Sequence, residues 1–146
     1  MLSLLVIAAN VATLTLPERA AIFTAAGATK RGARWMICKE DLNASARIDL
    51  IEDLNGDGRP EAVVSEDGTF CHGAAGTGFV LLSKQPNGSW KSMFASEGIP
   101  EFLKTRGVGR WPDISVGGPG FCFPVMRWNG RAYVMNRREY EGRPCR

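Results

Sequence analysis

Arg47-Ile48-Asp49-Leu50-Ile51, then Asp53-Leu54-Asn55-Gly56-Asp57-Gly58-Arg59-Pro60-Glu61, then Ala62-Val63-Val64 read as strand, oxygen-rich turn and strand. The first stretch alternates polar and apolar residues, as a strand with one buried face does. The last is short and largely β-branched, which suits an extended backbone. Between them, side-chain oxygens recur at Asp53, Asn55 and Asp57, loop positions one, three and five. Gly58 follows at position six, where a sharp turn needs a residue without Cβ. Hard cations such as Ca²⁺ take six to eight oxygens at about 2.3–2.6 Å. The candidate metal ligands are therefore Asp53, Asn55, Asp57, Arg59 through its backbone carbonyl, and Glu61 at position nine, directly or through a water. The three carboxylates repel one another, and a dication relieves that repulsion. A polar turn whose Asn and Asp side chains bond their own backbone explains the same residues without a metal. An EF-hand is excluded, because position twelve is Val64 where a bidentate Glu is required and strands, not helices, flank the loop.

Outward from this segment the chain keeps a β-rich character. Gly 17 and Pro 8 in 146 residues favour turns and short strands over a helix bundle. Strands are expected at Gly78–Lys84, Trp90–Phe94, Asp113–Val116, Phe121–Trp128 and Arg131–Arg137. Asn87-Gly88 and Asn129-Gly130 mark hairpins, and the first reads as a type I′ turn. Ser96–Thr105 is expected to form one or two helical turns around Pro100. Leu16–Gly27 reads as a helix with Thr15 as its cap, Pro17 and Glu18 in the first turn, and Gly27 at its end. Lys30–Arg34 reads as a solvated linker. The fold class is α+β, mostly β: an N-terminal helix and an antiparallel β-meander with two Asn-Gly hairpins, blade-like as in a propeller. The hairpins lie 42 positions apart, with Gly78 and Phe79 matching Gly120 and Phe121. That offset suits a duplicated unit or two ordinary hairpins, and two units cannot close a propeller.

The organisation falls into three parts. Residues 1–12 read as a secretory signal, since Leu2–Ala12 is nearly all apolar yet too short to span a bilayer. No basic start precedes that run, and a buried first element of the domain is the competing account. Residues 13–34 are the helix and linker, and 35–146 the β-rich calcium-loop domain. Cys38, Cys71, Cys122 and Cys145 are an even set with no Cys-x-x-Cys spacing, which suits two disulfides in an oxidising compartment better than zinc or redox chemistry. Three pairings are open. Similar Gly- and aromatic-flanked contexts favour Cys71 with Cys122, leaving Cys38 with Cys145. The localisation expected is periplasmic or secreted, with no stable membrane span in the mature form.

The Ile48–Ser65 segment resembles the calcium-loop segment of FG-GAP or VCBS-type repeats, in which Asp-x-Asn-x-Asp-Gly-x-x-Asp/Glu lies between two strands. Asp53, Asn55, Asp57, Gly58 and Glu61 match it. Trp128–Tyr133 looks like the closing hairpin of small exported bacterial proteins with one such loop. From Leu16 onward the chain resembles an uncharacterised proteobacterial family of that kind. The resemblance implies a structural calcium ion and brings no activity with it.

Function classes narrow by chemistry. A net charge of +3, evenly spread, gives no ground for a nucleic-acid partner. His72 is the single histidine, beside a cysteine expected to be oxidised, so a catalytic role for it is disfavoured. Gly73–Gly78 lacks the Lys and Ser/Thr of a phosphate loop. Trp90, Trp111, Trp128, Phe121 and Phe123 suit core packing better than a binding face. The reading is an exported, non-enzymatic binding domain whose partner is a protein or glycan of the cell envelope. The alternative is a cell-wall or glycan hydrolase using Glu66, Asp67 or Asp113.

Overall fold

The structure is a computed structural model and describes residues 10–146. The expected signal lies mostly outside the described residues. Of its last three residues, Asn10 caps a single 3₁₀ turn, Val11–Thr13, and Val11 packs on the helix-side core. The helix α1 (Leu16–Ala25) forms as its caps dictate. The Thr15 hydroxyl accepts the Glu18 N–H at 3.3 Å, and the Glu18 carboxylate accepts the Thr15 N–H at 2.7 Å. Ile22 and Phe23 form its buried side, with Phe23 stacked on Trp35 at 5.3 Å. The basic stretch after it is not a linker. It is a small hairpin of β1 (Thr29–Arg31) and β2 (Arg34–Met36), turned at Gly32.

Two antiparallel meanders follow. The first sheet runs β3 (Ala46–Glu52), β4 (Glu61–Asp67), β5 (Thr77–Lys84), β6 (Trp90–Glu97), each pairing with the next. The second runs β7 (Ile99–Arg106), β8 (Pro112–Gly117), β9 (Phe123–Trp128), β10 (Tyr133–Tyr140), β11 (Arg143–Pro144). Alternate residues of β4 and β5 serve two cores. Ala62, Val64, Val80 and Leu82 pack against α1. Val63, Phe79 and Leu81 pack against Trp111, Ile114, Val116, Trp128 and Tyr133 of the second sheet and its loops. Helix, first sheet and second sheet are thus three layers, and the mostly β expectation holds. Trp111 and Trp128 are core residues, as their packing reading required.

Ser96–Thr105 is not helical. It contains the end of β6 and most of β7, joined at Gly98, whose φ is 107°. A Cβ there would stand 2.2 Å from the Gly117 carbonyl oxygen, so only glycine fits the corner where the chain leaves one sheet for the other. Pro100 is tolerated because β7 is an edge strand. The first Asn-Gly turn is also not type I′, since only Gly88 has positive φ. The Gly88 N–H donates to the Gln85 carbonyl and the Gln85 N–H to the Ser89 carbonyl, while Asn87 Oδ1 accepts the Ser89 N–H. That pattern fits a three-residue loop with glycine at the bulge. The 42-residue offset does not extend to packing: Phe79 is 2% exposed and Phe121 71%.

The cysteines pair as Cys38–Cys71 and Cys122–Cys145, which overturns the favoured pairing of Cys71 with Cys122. Flanking sequence misled because each bridge is local to its own half of the molecule. The turn α2 (Thr69–His72) carries Cys71 back to the segment after β2, and Cys145 lies after β11, beside the entry to β9. Each closes a loop of moderate length, worth about 3.5 kcal/mol by chain entropy. Leu81 is fully buried between the sheets. Leu81→Ala is expected to lower unfolding stability in urea by about 3 kcal/mol.

Candidate functional site

The loop between β3 and β4 is built from its own backbone donors. Asp53 Oδ1 accepts the Gly56 N–H at 2.8 Å and Oδ2 the Gly58 N–H at 2.9 Å. Asn55 Oδ1 accepts the Asp57 N–H, and Asp57 Oδ1 the Arg59 N–H. Gly56 and Gly58 take φ of 75° and 86° and let the chain turn twice in three residues. Glu61 stands apart from these. It is fully buried at the start of β4, where it accepts the Leu54 N–H at 2.7 Å and the Ser83 hydroxyl at 2.9 Å. Burial, with Asp57 and Asp53 nearby, pushes its carboxyl up to about 7 against those two hydrogen bonds.

The second sheet holds this loop across the seam. Arg106 donates to the Leu54 carbonyl at 2.7 Å and Arg110 to the Gly56 carbonyl at 3.0 Å. Arg110 adopts a φ of 61°, rare for a residue with a Cβ, at the point where its guanidinium reaches Gly56. A side chain at Gly56 would press on that guanidinium. Arg59 also pairs with Asp57 at 2.9 Å. Sequence reasoning missed Arg106 and Arg110, because nothing local links them to a loop some 50 residues earlier.

Ligand atoms of one calcium ion stand within about 5 Å of one another, twice the metal–oxygen distance. Asp53, Asp57 and Glu61 do not gather that closely as a trio. Among the described residues, one group of three His, Cys, Asp or Glu ligand atoms lies within 4.8 Å of one another: Cys38, Glu40 and Cys71. Its two sulfurs are bonded to each other, so it offers no thiolate. Asp53, Asn55, Asp57 and the Arg59 carbonyl fit calcium in donor chemistry, since an oxygen that accepts one N–H keeps a second lone pair. Glu61, facing the core, does not join them.

The carboxylates considered for hydrolysis are held in other networks. Glu66 is fully buried and accepts the Ile37 and Cys38 N–H groups, which fixes the segment carrying Cys38. His72 bridges Glu66 at 3.0 Å and Glu97 at 2.7 Å. Burial alone would lower the His72 pKa, but the bonds to both carboxylates overcome it and raise it. Asp67 is ion-paired with Arg47 at 2.8 Å. Asp113 is fully buried and accepts from Arg127, Arg137 and Thr105. Burial works to raise its carboxyl, and those bonds hold it well below the usual carboxylate range.

Away from the loop, toward the end of the strands that carries Asp67, Thr77 and Gly98, the seam between the sheets opens into a cavity of about 320 Å³. Leu50 and Val63 from the first sheet and Pro100 and Phe102 from β7 supply apolar walls. Arg47, which pairs with Asp49 as well as Asp67, lines it too. No family model, curated protein or solved structure matches the chain.

Two groups tie stability to pH. The folded state raises the Glu61 pKa from 4.5 to about 7, so within that window the unfolded chain sheds its proton first and stability falls as pH rises. His72 adds stability that is complete below the unfolded histidine value, about 6.5, and is lost as pH rises through its higher folded value. Melting temperatures measured from pH 5 to 8 are expected to decline. Glu61→Gln should flatten the lower part of that decline and His72→Gln the upper part.

Proposed function

We propose that this chain is an exported binding domain that acts by contact, not by catalysis, with the Asp53–Asp57 segment as a weak structural calcium site. The observation that carries the reading is the attachment of the loop to both sheets. The loop grows out of β3 and β4, while Arg106 and Arg110 of the second meander grip its carbonyls. Whatever stiffens the loop stiffens the end of the seam that Arg106 and Arg110 hold. The bonding of the candidate carboxylates supports the same reading: Asp113 is held ionised by two arginines, Glu66 is enclosed among backbone N–H donors and His72, and Asp67 is paired with Arg47. These bonds argue against the hydrolase alternative.

Two disulfides suit an oxidising, extracellular type of environment. Among the described residues, no helix is long and apolar enough to cross a membrane. The periplasm or the exterior of the cell fits both, and a protein or glycan of the envelope is the partner class available there. Extracellular calcium sites fill in the range of about 0.1–1 mM. Calcium would supply positive charge at the loop, and the chain's own residues would orient it: Asp53, Asn55, Asp57 and the Arg59 carbonyl.

Isothermal calorimetry and thermal melts of the purified domain test the calcium reading. About 10 mM calcium is expected to raise the melting temperature by about 4 °C. Asp53→Asn should reduce that gain. No heat of binding, together with a melting temperature indifferent to calcium and chelator, would leave the loop as a metal-free turn.

A further inference from the structure

We propose that the cavity between β3, β4 and β7 binds an amphipathic cation, an apolar group that ends in or adjoins an ammonium or guanidinium. The proposal rests on the contact-acting reading above and adds the ligand's chemistry. Three features of the cavity converge on it.

The first is the apolar wall. Leu50 and Val63 sit opposite each other across the β3–β4 pair, and Phe102 faces them from β7. The 320 Å³ between them is enough for a chain of several carbons or one large side chain.

The second is Ser65. It is 3% exposed, lies directly across from Arg47 in the strand register, and lines the cavity. Its hydroxyl makes no hydrogen bond to any described residue. It is not sealed in either, since no buried side-chain polar atom lacks a partner among the described residues. A hydroxyl that faces the cavity from a largely apolar wall can hydrogen-bond a guest there.

The third is charge. The Arg47 guanidinium is shared between Asp49 at 2.9 Å and Asp67 at 2.8 Å. Two carboxylates against one guanidinium leave one negative charge at the rim. Arg47, Asp49 and Asp67 are the charged residues that line the cavity. The Asp67 side chain is 64% exposed, so an incoming cation reaches it without displacing the fold. An anion of equal apolar size meets repulsion at the same rim.

The chemistry has two sources, a small organic amine or an apolar–basic pair in a peptide. Hexylamine and a capped Leu-Lys dipeptide separate them, with 1-hexanol and hexanoate as neutral and anionic controls. Titrations are followed by amide shifts in a ¹⁵N-labelled sample. Hexylamine is expected to saturate shifts at Leu50, Val63, Ser65 and Phe102 with a Kd of about 1–10 mM. Hexanoate should bind about tenfold more weakly, with hexanol between them. Tighter binding of the dipeptide than of hexylamine assigns the site to a peptide, and the reverse assigns it to a small amine. Asp67→Asn and Ser65→Ala should each weaken hexylamine, with melting temperatures recording that the fold is intact. Equal binding of hexylamine and hexanoate, or shifts scattered away from the cavity, overturns the proposal and leaves the contact-acting reading standing. Consumption of hexylamine over time overturns that reading and leaves the site standing.

Discussion

Burial of β4 and β5 on both faces is the constraint from which the rest follows. Val64, Val80 and Leu82 meet the helix, and Val63, Phe79 and Leu81 meet the second sheet. A strand pair without a solvent face leaves no place for an unpaired polar group, because each would cost a few kcal/mol. The polar residues on these strands accordingly come with partners. Glu61 has the Leu54 N–H and Ser83, while Glu66 has two backbone N–H groups and His72. These bonds also position the periphery. Glu61 fixes the start of the β3–β4 loop, and Glu66 sets the segment that presents Cys38 to Cys71. Ser65 departs from this pattern, and it departs where the two sheets part.

Electrostatics divides along the same lines as the layers. The first meander is acidic, whereas residues 99–146 carry nine Lys and Arg against four Asp and Glu. The overall +3 conceals this division, and the expected even spread of charge does not hold. Arg106 and Arg110 place part of the second meander's positive charge on the first meander's most acidic turn. The seam is therefore held by apolar burial at its centre and by hydrogen bonds from guanidinium groups to loop carbonyls at its end.

Much of the strand order was legible because alternation and turn residues are local signals. Arg47–Ile51, Gly78–Lys84 and the Thr15 cap all lie where periodicity and capping chemistry place them. The errors share a cause. Ser96–Thr105 lacks clear alternation, and its extended form depends on pairing with β5 and β8, strands that lie elsewhere in the chain. The disulfides depend on which ends meet in space. The oxygen-rich loop was visible as a pattern, yet the inward placement of Glu61 was not, since a position-nine carboxylate reads alike whether it faces an ion or a core. The cavity was not legible at all, because Leu50, Ser65 and Phe102 belong to three strands and no spacing relates them.

The corner at Gly98 has a bearing on how anything enters the seam. One residue joins the two meanders, and its neighbour Gly117 stands too close to admit even a methyl group. Beyond that joint, the layers are held together by the shared core of Val63, Phe79, Leu81 and Ile114. A guest of the proposed site would pass the side chains at its lip, Ile99 and Asp67 among them, whose swings take nanoseconds. Entry and exit would then be quick, and any lasting grip on a partner would have to come from many such contacts engaged together.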